Sequence, residues 1–196
     1  MNKKLELDKI SREIAICKIC KIGKSGLPVP GEGNSDADIV FIGEAPGKKE
    51  AVSGRPFIGR SGQLLRCLIR EAGLREEDVF ITSPVKYLPN GPDGTPGGTP
   101  KPADIVHGRI HLMKQFEVIQ PNIIVLLGNS AVQGVLEQKI PVKSEHGKII
   151  VRSASSGSSK KEYKYLITLH PAAALRFPPL KLLIKEDFYK LKSLLK

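Results

Sequence analysis

The chain of 196 residues has no tryptophan, and aromatic residues make up only 5% of it. A broad stacking platform for single-stranded nucleic acid, which needs several aromatic side chains, is therefore not evident. No run of eighteen apolar residues occurs, so a transmembrane helix is not expected. The N-terminus, Met1 to Asp8, lacks the apolar segment of a signal peptide, which predicts a cytoplasmic protein.

Cysteine is also scarce, with three residues in the chain. A small, odd number in a chain without a signal peptide argues against a disulfide framework. Cys17 and Cys20 form a Cys-x-x-Cys pair. Cys67 lies in the apolar stripe of a predicted helix, which favours a buried structural thiol.

Negative charge is the third shortage. The chain has 20 Asp and Glu against 31 Lys and Arg, which gives a net charge of +11. Such an excess favours polyanions, nucleic acid above all, through phosphate neutralisation and counterion release. A lysine-rich surface without any nucleic-acid partner has the same charge, so both interpretations stay open at this point.

Apolar runs alternate with helical patterns along the chain, and no repeat or linker interrupts them. This alternation predicts a mostly parallel sheet in an α/β sandwich, with residues 1–196 as a single domain. Strands are predicted at about 38–43, 79–84, 122–128, 148–152 and 163–169, and the main helices at about 4–17, 62–73, 103–119 and 181–195.

Three loops leave the carboxyl ends of predicted strands, at 43–62, 83–102 and 170–176. These ends converge on one crevice in an open α/β sheet, and ligands bind there. Glycines in the first loop let backbone N–H groups approach a ligand, and Phe57 offers a flat apolar face. The composition favours a planar, polar ligand, because the loop lacks the glycine spacing of phosphate-binding and dinucleotide-binding motifs.

The loops supply a small set of reactive groups. His170 follows a strand, and a lone histidine in this position is most often structural. The segment after it, Pro171 to Arg176, changes that expectation, because small residues and one cation are typical of a loop pressed against a DNA strand. The groups in question are Glu44, Glu50, Ser83, His170 and Arg176.

Three motifs occur in register: Gly43-Glu-Ala-Pro-Gly47, Gly54-Arg-Pro-Phe-Ile-Gly59 and His170-Pro-Ala-Ala-Ala-Leu-Arg176. Together with the cysteine pair and the apolar strand 122–128, they resemble the family 4 uracil-DNA glycosylases over nearly the whole chain. The resemblance implies a three-layer α/β sandwich with a central, mostly parallel, four-stranded twisted sheet. It also implies a monofunctional DNA-repair hydrolase that flips uracil from DNA, cuts its N-glycosidic bond and leaves an abasic site. We expect a monomer.

The resemblance assigns roles to the loop residues. Phe57 would stack on uracil, and His170 would donate a hydrogen bond to uracil O2 as negative charge develops on the departing base. Glu44 and Glu50 are the carboxylates available to position water or to balance positive charge on the sugar. The pocket would be completed by Gly43, Ala45, Pro46, Gly47 and Ser83, and DNA would be contacted by Arg55, Arg60, Ala172 and Arg176.

One position departs from the family. An asparagine that reads uracil through its amide follows the threonine of the second strand in the family, whereas Ser83 follows Thr82 here. A hydroxyl is shorter than an amide and rotates freely, so we expect excision to depend less on this position, with Asn90 and Lys86 as candidate substitutes for the amide. Two alternatives stay open: a glycosylase with broader specificity for deaminated bases, and a protein that binds uracil or damaged DNA with little or no turnover.

The second departure concerns metal. The family usually holds a [4Fe-4S] cluster on four cysteines, of which Cys17 and Cys20 match the first two, while Tyr87 and His107 fall at or beside the others. His107 and His111 share one face of a predicted helix. Two cysteines and two histidines form a ligand set that zinc favours, so a structural Cys2His2 site is expected. A cluster with histidine ligands and an empty site are the alternatives.

Overall fold

The computed structural model describes residues 2–156 and 159–194 of the chain. The strands within these residues are β1 (Lys24–Ser25), β2 (Glu32–Gly33), β3 (Ile39–Ile42), β4 (Val79–Thr82), β5 (Leu88–Pro89), β6 (Ile123–Leu127), β7 (Ile149–Ser156) and β8 (Ser159–Thr168). The helices are α1 (Lys3–Ile16), α2 (Lys18–Lys21), α3 (Lys48–Ser53), α4 (Arg60–Glu71), α5 (Pro102–Ile119), α6 (Asn129–Leu136), α7 (Val142–Glu145), α8 (Pro171–Arg176) and α9 (Leu180–Leu194), with a 3₁₀ turn at Glu76–Asp78.

The main sheet has the strand order β2-β4-β3-β6-β8-β7. Its four central strands, β4, β3, β6 and β8, are parallel. The outer strands β2 and β7 pair antiparallel with β4 and β8. The predicted α/β fold with a mostly parallel, four-stranded centre is therefore confirmed, and two antiparallel edge strands widen the described sheet to six.

Helices cover both faces of this sheet. The residues of β3 and β6 are buried throughout, as expected for apolar strands with a layer on each side. Helices α1, α5 and α6 pack together in one layer, and α4, α8 and α9 pack together in the other. The stacked rings of Phe41 and Phe188, 5.7 Å apart, join the sheet to α9.

Helix α5 carries the two predicted metal-binding histidines, and both of its ends are well defined. It begins at Pro102, whose missing N–H is harmless in a first turn. The side chain of Asp104 accepts the N–H of Lys101 at 2.9 Å and so fixes this end. At the other end Gln120 adopts a left-handed backbone with φ of 57°, which stops the helix.

Two expectations differ from the structure. Strands β7 and β8 extend beyond 148–152 and 163–169 into a long antiparallel hairpin, although the polar residues between those ranges are typical of a loop; residues 157 and 158 lie outside the described part of the chain. Cys67 is half-buried, and its Sγ lies 3.5 Å from a Glu71 carboxylate oxygen, so it is not the buried thiol that was expected. In the described residues, no helix is long and apolar enough to cross a membrane.

Candidate active site and metal centre

A cavity of about 550 Å³ opens where β3, β4 and β8 end. The three predicted loops all contribute to its wall, because the carboxyl ends of the parallel strands lie at one edge of the sheet. The predicted site residues among its lining are Glu44, Ala45, Pro46, Gly47, Glu50, Phe57, Arg60, Ser83, His170 and Ala172.

Phe57 sits in a tight turn. Its backbone is left-handed, with φ of 52°, which is strained for an aromatic residue. Two glycines leave room for it. A Cβ atom on Gly43 would lie 2.4 Å from Cζ of Phe57, and a Cβ atom on Gly62 would lie 2.0 Å from its carbonyl oxygen. The ring therefore lies on the end of β3, and its backbone lies on the first turn of α4.

Two opposite charges hold the backbone on either side of Phe57. Oε1 of the buried Glu50 accepts hydrogen bonds from the N–H groups of Ile58, at 2.9 Å, and Gly59, at 2.7 Å. The guanidinium of Arg66 donates to the carbonyl of Phe57, at 3.2 Å, and to that of the preceding proline, at 3.3 Å. Glu50, expected as a catalytic carboxylate, is thus engaged in holding the turn.

The same turn is braced by an ion-pair network that includes Arg55. Glu32 accepts two hydrogen bonds from Arg55, at 2.8 and 3.1 Å, and one from Arg66, at 2.8 Å. Burial raises the pKa of Glu32, but the two guanidinium groups outweigh it and hold the pKa below its usual value. Arg55, predicted to contact DNA, is exposed, and this carboxylate occupies one edge of its guanidinium.

His170 caps the first turn of α8. Its Nδ1 accepts the N–H of Ala172 at 3.2 Å, so the proton of a neutral imidazole belongs on Nε2. Burial lowers the pKa of His170, and the Glu44 carboxylate only partly opposes this effect. At neutral pH the residue is therefore an uncharged hydrogen-bond donor in the cavity wall. Its ring centroid lies 5.9 Å from that of Phe57.

Glu44 faces the cavity from the other side of His170. Its Oε2 accepts a hydrogen bond from the hydroxyl of Ser130 in α6, at 2.7 Å. The second carboxylate oxygen has no such partner among the described residues. Ser130 was not identified from the sequence, because nothing local links it to a loop that lies far earlier in the chain.

Ser83 is buried in the wall of the cavity. Its hydroxyl donates to the backbone carbonyl of Val85 at 2.8 Å. The free rotation expected of a serine hydroxyl is therefore not what the structure shows.

Lys86, a candidate substitute for the missing amide, does not line the cavity; it lies behind this wall and is fully buried. Its Nζ donates to the carbonyl of Pro30 at 3.0 Å, to Oγ1 of Thr82 at 2.7 Å and to Oε1 of Gln115 at 3.0 Å. Burial lowers the pKa of Lys86 to about 7. Its own carbonyl accepts the N–H of Val29, which lines the cavity, at 2.8 Å. The lysine thus joins residues 29–30, the end of β4 and helix α5 around the site.

The predicted metal ligands come together at α2 and α5. One potential ligand atom from each of the four residues lies within 4.8 Å of the others: Cys17, Cys20, His107 and His111. Sγ of Cys17 is 3.2 Å from Nε2 of His107. A short ion pair of 2.6 Å between Lys24 and Asp104 ties the segment after the cysteines to the start of α5.

The state of the side chains suits a metal ion. His111 is buried, and among the described residues neither of its ring nitrogens has a hydrogen-bond partner. Burial, with smaller contributions from Lys86 and His107, lowers the pKa of His111 to about 4, so the imidazole is neutral. Burial raises the pKa of the Cys20 thiol to about 12. A bound cation would take the place of that thiol proton and satisfy the unpaired imidazole.

Tyr87 does not contribute a ligand. It is buried, and its hydroxyl donates to the carbonyl of Ala15 at 3.2 Å. The aromatic side chain thus occupies the position where the resemblance places a third cysteine, and it binds the end of α1.

Three of the residues predicted to contact DNA are exposed around the cavity. Arg60 and Ala172 are exposed on its rim. Arg176 is exposed and, together with Lys143, lines a second cavity of about 490 Å³ that shares Glu44 and His170 with the first. These positions leave their side chains accessible from solvent.

Comparison with known proteins gives a consistent result. A sequence model of the uracil DNA glycosylase superfamily matches residues 30–192. The chain is 44% identical to the type-4 uracil-DNA glycosylase of Saccharolobus solfataricus, over 96% of this chain and 86% of that protein. It is 38% identical to the type-4 enzymes of Archaeoglobus fulgidus and Sulfurisphaera tokodaii, over 96% of this chain and 92% and 84% of theirs.

Proposed function

The chain belongs to the type-4 uracil-DNA glycosylases of the uracil-DNA glycosylase superfamily, and we propose that it excises uracil from DNA as a monofunctional hydrolase. The bond between uracil N1 and the sugar C1′ breaks, its electron pair leaves with the base, and water supplies the hydroxyl on C1′. Because the reacting bond is inaccessible inside a stacked duplex, the nucleotide must rotate out into the cavity.

The observation that carries this proposal is the fixed, neutral imidazole of His170. With Nδ1 bound to the Ala172 N–H, Nε2 donates to uracil O2, where negative charge develops as the bond breaks. A donor already oriented in a dry site stabilises such an anion without reorganisation, and one donor of this kind contributes about a hundredfold to a thousandfold in rate. A charged imidazole is not needed.

Phe57 provides the stacking surface. Gly43 leaves room for its ring at the end of β3, and the Glu50 and Arg66 contacts hold the backbone beside it. A planar base lying on this ring brings its edge towards His170, whose ring centroid is 5.9 Å away. The turn thus sets the position of the base relative to the hydrogen-bond donor.

The two candidate carboxylates take different roles. Glu44 keeps one carboxylate oxygen on Ser130 and has the other available, so it positions the attacking water or balances the positive charge on the sugar. Glu50 is a positioning residue, because Oε1 accepts two backbone N–H groups next to Phe57. This assignment revises the expectation that both glutamates act on the substrate.

DNA binding is supported by the net charge of +11 and by the exposed residues at the cavity rim. Arg60 and Arg176 are placed to contact phosphates, and Ala172 permits close approach of a strand. Arg55 joins them through the guanidinium edge that Glu32 leaves free. The protein is proposed to act as a monomer, which light scattering of the free protein would check.

The metal centre is proposed to hold one zinc ion. A [4Fe-4S] cluster on four thiolates does not fit, because this place offers two cysteines and two histidines. Tetrahedral zinc keeps its ligand atoms about 3.3–3.8 Å apart, given bonds of about 2.0–2.3 Å. Four ligand atoms within 4.8 Å match that scale. Zinc held by Cys17, Cys20, His107 and His111 would be structural and would join α2 to α5.

A DNA-binding protein without turnover is the alternative, and Ser83 is the feature that favours it. One experiment distinguishes the hydrolase from the binding protein. The protein is incubated with a uracil-containing duplex, and the DNA is then treated with alkali, which breaks strands at abasic sites. Strand breaks after alkali support the hydrolase, and a retarded but intact duplex supports the binder. Breaks before alkali would reveal a lyase that uses an amine such as Lys48 or Lys49, which are exposed on the cavity rim.

A further inference from the structure

The side chain of Ser83 presents the cavity with a hydrogen-bond acceptor and no donor. A hydroxyl has a single proton, and that of Ser83 is directed to the Val85 carbonyl at 2.8 Å. Both residues are buried, so water in the cavity has little access to this hydrogen bond. Only the lone pairs of Oγ then face a ligand in the cavity.

The backbone around Ser83 keeps this arrangement in place. Pro84 lies between the donor and the acceptor, and its ring fixes φ. Helix α5 presses against the turn through Gly108, where a Cβ atom would lie 1.9 Å from the Pro84 carbonyl oxygen. On the other side, the carbonyl of Thr82 accepts the N–H of Gly43 at 2.9 Å. The Val85 carbonyl therefore stays within reach of the Ser83 hydroxyl, and offering the proton to a ligand would forfeit this hydrogen bond.

Given the proposed glycosylase function, on which this step rests, we propose that Ser83 reads the flipped base by accepting a hydrogen bond from a ring N–H. The substrate class is then a base with a ring N–H beside a carbonyl, and it includes hypoxanthine as well as uracil. Deamination creates this group in both cases. Cytosine N3 and adenine N1 have lone pairs, whereas uracil N3 and hypoxanthine N1 carry hydrogen.

The same contact rejects the parent bases. A cytosine or adenine in the cavity directs a lone pair at the lone pairs of Oγ, and a buried acceptor without a donor is costly. Serine also extends only one heavy atom beyond Cβ, which leaves space at this wall for a purine, in a cavity of about 550 Å³. Thymine and guanine differ from uracil and hypoxanthine by one added methyl or amino group, so their rejection is a matter of shape.

The first experiment compares uracil, hypoxanthine, cytosine and adenine at one position in a duplex, each opposite an abasic spacer so that no pairing has to be broken. Single-turnover release should be seen for uracil and hypoxanthine and not for cytosine or adenine. Ser83→Asn adds an amide donor and fills the space, so it should raise the ratio of uracil to hypoxanthine excision about tenfold or more. Ser11→Ala, a remote serine of α1, is the control.

The second experiment replaces the N–H of the base by N–CH₃, with 3-methyluracil and 1-methylhypoxanthine. The wild type should lose about tenfold or more in rate on each methylated base. In Ser83→Ala the acceptor is gone, so the difference between N–H and N–CH₃ should shrink to about threefold or less.

The outcomes separate the two proposals. Uracil excision without any hypoxanthine excision would overturn the substrate class and leave the proposed function intact. An unchanged N–H to N–CH₃ difference in Ser83→Ala would overturn the role of Ser83. If no uracil is released, the proposed function fails and this inference fails with it.

Discussion

The ring of Phe57 lies 5.9 Å, centroid to centroid, from the imidazole of His170, with the two planes tilted by 33°. Hydrogen bonds fix the position of both rings. Glu50 and Arg66 hold the turn of Phe57, and the Ala172 N–H holds His170. A flat apolar surface and a neutral donor thus meet in one wall of the cavity.

Gly62→Ala should reduce uracil excision about a hundredfold or more. A Cβ atom at this position would lie 2.0 Å from the carbonyl oxygen of Phe57, so the turn and its ring must move. Alanine would otherwise favour the helix by roughly 0.5–1 kcal/mol. Gln63→Ala, an exposed neighbour in α4, is the control and should keep its rate. A Gly62→Ala enzyme with the wild-type kcat/KM would show that the position of Phe57 does not matter.

Glu50→Gln should mainly affect stability, whereas Glu44→Gln should mainly affect the rate. Glu50→Gln weakens two charge-assisted hydrogen bonds, so it should lower the free energy of unfolding by about 1–2 kcal/mol and the rate by about tenfold. Glu44→Gln should lower the rate by about a hundredfold and leave the unfolding free energy within about 0.5 kcal/mol. Denaturant unfolding and single-turnover kinetics on both variants would check this. A stable Glu50→Gln with a hundredfold slower reaction would instead make Glu50 catalytic.

The purified protein should be colourless and contain one zinc per chain. A strong chelator, Cys20→Ser or His111→Ala should remove the metal and lower the melting temperature by about 10 °C or more, because α2 loses its link to α5. Cys67→Ser, which changes the cysteine outside this site, should keep both the zinc and the melting temperature. Metal analysis with thermal unfolding makes the measurement, and a visible absorption band with stoichiometric iron would contradict the zinc assignment.

Much of the fold follows from simple features of the sequence. The apolar runs of β3, β4 and β6 are continuous because both faces of these strands are covered, and so their positions could be predicted. The convergence of Glu44, Ser83 and His170 on one cavity follows from the geometry of parallel strands. The length of the β7–β8 hairpin could not be predicted, because its polar residues resemble those of a loop.

The same kind of reasoning could not predict the side chains that hold the site residues in place. Arg66 lies on a helix whose pattern indicates only an exposed face, yet it folds back to the carbonyl of Phe57. Lys86 follows the same strand as Ser83 and is expected to reach the ligand, but Thr82 and Gln115 bind its Nζ behind the cavity wall. The tertiary fold determines which groups these side chains bind, so no local sequence pattern predicts them.

The usual pKa of histidine is about 6.5. The rate of uracil release should stay constant from about pH 8 down to this value and somewhat below it. Burial lowers the pKa of His170, so the reactive neutral form persists in this range. Protonation at lower pH places a proton on Nδ1 and breaks the hydrogen bond from Ala172, and the rate should then fall. The lowered pKa also means that His170 contributes stability above the unfolded pKa, which is lost as the pH falls through the folded pKa. A rate that halves at the usual pKa would contradict this account.

The most direct test compares the single-turnover rate of uracil release by the wild type with that of His170→Ala, at saturating enzyme and neutral pH. We predict rapid release by the wild type and a loss of about a hundredfold to a thousandfold in His170→Ala, with nearly unchanged affinity for DNA and a melting temperature lowered by only about 2–4 °C through loss of the α8 cap. A His170→Ala protein that releases uracil at the wild-type rate would contradict the central claim that this imidazole stabilises the departing base.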